Sequence, residues 1–83
     1  MNDLEICQRI AEIEGIHVSN AECGMYDPLT DKALCFDLMV KYQVSIEPQP
    51  FNLTYAKINY QHAVLDENLQ RAICLTIIEA YKG

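Results

Sequence analysis

The sequence predicts a single α+β domain over residues 1–83, with three helices packed on a mainly antiparallel sheet of three to four strands. Three observations carry this. The stretch Asp66 to Tyr81 places Leu69, Ala72, Ile73, Leu75, Ile77 and Ile78 at helical spacing. Thr30 to Tyr42 is a second apolar helical stretch, and it runs directly into the alternating Val44-Ser45-Ile46. With 51% hydrophobic residues, the chain has too much apolar content for a disordered segment.

The elements follow in order. Asn2 or Asp3 caps a first helix to Glu14, with Ile6, Ile10 and Ile13 on one stripe and Glu5, Gln8, Arg9 and Glu12 opposite. Gly15 supplies the left-handed stop. Ile16-His17-Val18 alternates and reads as a short strand. Residues 19–29 form an irregular segment with the turn formers Asn20, Gly24, Asp27 and Pro28. Thr30 is the expected cap of the second helix, whose wide apolar surface marks it as the most buried one. Val44 to Ile46 leaves it as a strand, and Pro48 and Pro50 place the next residues at an edge. Phe51 to Tyr60 suits a strand, with a bulge near Ala56-Lys57 to reconcile two phases. His62 to Leu65 adds a short strand, and Asp66 caps the last helix. The expected core is Ile6, Ile10, Ile13, Leu34, Phe36, Leu38, Ile46, Ile73 and Ile77.

Charge and cysteines bound the function. The net charge is −6, and residues 1–31 carry all of it, with seven acids against Arg9. Such a chain lacks the basic stripe of direct nucleic-acid binding. No apolar run reaches the roughly 20 residues that cross a bilayer, so no membrane role is expected. The acidic start is unlike an export signal, so a cytoplasmic setting and free thiols at Cys7, Cys23, Cys35 and Cys74 are expected.

Catalytic patterns are weak. The four cysteines and His17 and His62 are spaced too widely for a zinc site, and no metal or cofactor is expected. Cys23 is the accessible thiol, but Glu22 and Asp27 beside it disfavour a thiolate. No glycine-rich phosphate loop or nucleophile elbow occurs among three glycines. The chain reads as a binding protein and not as an enzyme. The acidic loop is the expected binding surface, through Glu22, Tyr26, Asp27 and Asp31, since an exposed tyrosine offers area at low entropy cost. The alternative is a homo-oligomeric ligand-binding or structural module, starting from a homodimer.

Asp27-Pro28-Leu29-Thr30-Asp31, Ala33-Leu34-Cys35-Phe36 and Leu38-Met39-Val40-Lys41-Tyr42, then Val44 and Ile46, resemble the second helix and following strand of small bacteriophage proteins of the ABA-sandwich type. The NinX-like phage proteins are similar in arrangement. Arg71 to Leu75 with Ile77 to Ala80 resembles their last helix, and Ala11 to Ile16 fits their opening. Between Pro50 and Val64 this chain is shorter than that pattern. The resemblance implies a phage or prophage origin, the cytoplasm of an infected bacterium and a sheet flanked by helices. It brings no catalytic residues. The partner expected from the acidic surface is a host or phage protein with a basic surface, and inhibition of a host protein is one version of that role.

Overall fold

A computed structural model of the chain describes residues 1–58 and 62–81. It is a small α+β domain. The order is α1 (Asp3–Ile13), α2 (Val18–Glu22), α3 (Lys32–Lys41), β1 (Ser45–Gln49), a 3₁₀ turn (Pro50–Asn52), β2 (Leu53–Ile58), β3 (His62–Asp66) and α4 (Leu69–Ala80). The three strands form one antiparallel sheet in the order β1-β2-β3.

Helix α4 organises the molecule. Ala72, Ile73, Cys74, Thr76, Ile77 and Ile78 are all buried, so apolar contact surrounds most of its circumference. One side packs on β2 and β3, and other sides meet α1 and α3. The Thr76 hydroxyl donates to the Ala72 carbonyl at 2.8 Å, with the Ala56 carbonyl of β2 3.2 Å away. This satisfies the buried hydroxyl of Thr76. Ile6, Ile10 and Ala11 of α1 complete the core, with Cys35 and Leu38 of α3.

The caps show why the helices start where they do. Asn2 and Glu5 form a reciprocal capping box on α1. Gly15, at φ +72°, ends that helix. Asp31, and not Thr30, caps α3 by accepting from the Leu34 N–H at 3.1 Å. Asn68, and not Asp66, caps α4 through the Arg71 N–H at 2.9 Å, while Asp66 accepts from the Asn68 N–H.

Several expectations need correction. Ile16-His17-Val18 is not a strand: His17 caps α2, its Nδ1 accepting from the Ser19 N–H at 3.2 Å. Helix α3 is not the most buried helix, and Phe36 is 58% exposed instead of in the core. Ile46 is 38% exposed, because α4 covers β2 and β3 and leaves the β1 edge. Ile13 and Leu34 are half-buried against the core. No bulge interrupts β2, whose pairing with β1 and β3 is continuous from Thr54 to Lys57. The phase conflict disappears because Phe51 belongs to the turn, so Thr54, Ala56 and Ile58 alone define the inner face. Tyr60, the expected end of this strand, lies outside the described residues.

Candidate functional site

The four residues of the acidic loop do not form one exposed surface. Glu22 ends α2, is exposed, and accepts from Gln8 Nε2 of α1 at 3.3 Å. Tyr26 turns inward and is buried in the core, so its ring is not part of the surface. Asp27 is half-buried. Its carboxylate accepts from the Leu29 N–H at 3.2 Å and from the Cys7 thiol at 3.4 Å. Burial opposes its charge, but hydrogen bonds from Thr30, Cys7 and Leu29 outweigh burial and hold its carboxyl below the ordinary value. Asp31 is exposed and engaged as the α3 cap. Asp27 and Asp31 therefore shape the loop, and Glu22 faces outward from it.

A concavity lies elsewhere. A groove of about 880 Å³ runs between α1 and α4, with β3 at its base. Ile13 of α1, Val64 of β3, and Leu75 and Ile78 of α4 supply an apolar floor. Glu5, Gln8, Arg9 and Glu12 recur at intervals of three and four along α1, so they fall on one rim. Glu79 of α4 and Tyr81 just after it also line the groove. Arg9 is 3.5 Å from Glu12, so its charge is partly committed there. Among the lining side chains three carboxylates stand against one guanidinium, so the side-chain balance of the rim is acidic. Because Gln8 also bonds Glu22, the acidic surface continues from the groove onto α2.

Sequence reasoning places Glu5, Gln8, Arg9 and Glu12 on the outward face of α1 but does not find the groove. The wall opposite is α4, and the lateral packing of two distant helices is not written in either helix. The available signal is Leu75, Ile78 and Glu79, an apolar pair followed by an acid at helical spacing.

Two of the buried thiols, Cys7 and Cys74, are held in the protonated form. Burial first, then the Asp27 carboxylate, pushes the Cys7 thiol up to about 11. Cys74 shares a hydrogen bond with Cys35 in the α3–α4 contact. That bond, then burial, holds it far above the usual range. All four cysteines are unpaired. Among the described residues no group of three His, Cys, Asp or Glu side chains is arranged to hold a metal ion. No helix there is long and apolar enough to cross a membrane.

Comparison with protein-family models, with characterised proteins and with solved structures gives no match to this chain.

Proposed function

We propose that this chain acts by binding another protein, taking a basic segment with apolar anchors into the groove between α1 and α4. The observation that carries this is the groove's make-up: an apolar floor of Ile13, Val64, Leu75 and Ile78 beneath the carboxylates Glu5, Glu12 and Glu79. An amphipathic helix presents such a combination, with anchors three and four residues apart and lysines or arginines beside them. The acid rim steers the encounter and the floor holds the complex. The same acidity disfavours direct contact with nucleic acid. A small accessory protein of phage or prophage that blocks a basic surface of a host protein in the bacterial cytoplasm is the biological form of this reading. Its phage setting comes from the resemblance of the helices and strand described above.

The test is capture from bacterial lysate, with and without phage infection, read by mass spectrometry. The triple substitution Glu5→Lys, Glu12→Lys, Glu79→Lys is expected to abolish capture, and added salt to weaken it. Capture unchanged by the triple substitution dismisses the groove. Glu22→Lys, at the end of the acidic surface, is expected to weaken capture less.

A further inference from the structure

We propose that the outer face of α3 binds a second copy of this chain, the two α3 helices lying parallel about a twofold axis. Beyond binding a partner in the groove, the protein would then self-associate, and the two surfaces are independent.

Helix α3 is apolar on both sides. Cys35 and Leu38 are buried on the side facing α4, and Leu34 and Met39 flank them. The opposite side carries Ala33, Phe36 and Val40, with Phe36 58% and Val40 59% exposed. Their spacing of three and then four residues is the a, d, a sequence of a heptad seam. On that assignment Lys32 is a g position and Asp37 the following e position. Neither makes an ion pair among the described residues.

That charge pattern selects the occupant and its direction. In a parallel pair, a g residue faces the e residue five places further along the other helix. Lys32 of each copy then faces Asp37 of its partner, giving two ion pairs beside the apolar seam. An antiparallel pair places lysine against lysine and aspartate against aspartate. The surroundings favour a second copy as well. Each chain carries −6, so copies repel except where their surfaces are least acidic. On helix α3 Lys32 balances Asp37 and Lys41 is paired with Glu14, unlike the acidic α1 rim that suits a basic partner. Ten helical residues extend about 15 Å, so the seam makes a transient, concentration-dependent dimer.

Sedimentation velocity over a range of protein concentrations tests this, with thermal melts to show that each variant is folded. The wild type is expected to shift from monomer to dimer as concentration rises. Lys32→Glu and Asp37→Lys each place like charges across the seam, so each is expected to weaken self-association about tenfold. An equimolar mixture of these two variants is expected to recover the dimer, because every facing pair is then again of opposite sign. Phe36→Glu is expected to leave only monomer. A wild type that stays monomeric throughout overturns the proposal. So does a mixture that associates no better than the single variants, or a dimer that persists in Phe36→Glu. Groove capture is expected to survive all three substitutions, so failure here is distinguishable from failure of the groove reading.

Discussion

Tyr42, at the end of α3, donates its hydroxyl to the Glu14 carboxylate at the end of α1. Lys41 reaches the same carboxylate at 2.7 Å. The Tyr42 ring meets Tyr81 edge to face, with centroids 5.1 Å apart, so one cluster joins the C-terminal ends of α1, α3 and α4. Burial works against the Glu14 charge, but the hydrogen bonds from Lys41 and Tyr42 prevail and hold the carboxyl below its ordinary value of 4.5. A depressed carboxylate contributes stability above its unfolded pKa and loses it as pH falls through the folded one. Tyr42 behaves in the opposite sense. Burial first, then the bond to Glu14, raises it from 10.0 to about 12. Its contribution is complete below pH 10 and fades as pH rises toward 12. Glu14→Gln should cost about 1–2 kcal/mol at pH 7. It should also flatten the acid limb of a stability-versus-pH curve measured by urea unfolding. An acid limb as steep as wild type would show that other carboxylates set it.

Tyr26 presents a different problem, because its hydroxyl is buried without a hydrogen-bond partner among the described residues. Burial holds that phenol well above its ordinary value, with the charge of Glu14 adding to it. An unpartnered buried hydroxyl costs about 1–3 kcal/mol, and removing it leaves the ring in place. Tyr26→Phe should therefore raise stability by about 1 kcal/mol. Thermal unfolding gives the answer: a lower melting temperature would mean that the hydroxyl is satisfied.

Much of the fold can be read from short-range signals, and its errors have physical causes. Asn2, Ile6, Ile10 and Gly15 define α1 because a cap, one stripe and a stop agree. Three alternating residues carry less information, and His17 illustrates why. Its imidazole caps a helix, a use that alternation between Ile16 and Val18 conceals. Helix α3 misleads for another reason. Apolar residues surround it, so helical period identifies the helix but cannot choose which side is buried. The groove is still less legible, since Glu12 and Glu79 come together only through the packing of α1 on α4. The acidic loop was visible as composition, while the inward turn of Tyr26 is a tertiary outcome.

That distinction makes α3 and α4 respond differently to truncation. Ile77 is fully buried in the C-terminal half of α4. Ile77→Ala should cost about 2–5 kcal/mol, a large share of the stability of so small a domain. Phe36→Ala, on the exposed side of α3, should stay within about 0.5 kcal/mol of wild type when measured at concentrations where the chain is monomeric. Denaturant midpoints compare the two directly. A large loss at Phe36 would place its ring in the core.

The β1–β2 turn holds backbone strain at its most exposed side chain. Phe51 has φ +64° and ψ 30°, followed by Asn52 at φ +62°. Two successive left-handed residues match the right-handed twist of a tight hairpin, and Asn followed by Gly adopts them most readily. A phenylalanine there is strained by its Cβ, at about 1–2 kcal/mol. The ring is 92% exposed, so little burial offsets that strain within the described chain. Replacing Phe51 and Asn52 by Asn and Gly should therefore raise stability by about 1 kcal/mol. The groove and the α3 seam use neither residue, so capture and self-association should both be retained. A stabilised variant that loses capture would instead assign the strained ring to the binding surface. Strain maintained against folding stability commonly marks a contact of that kind.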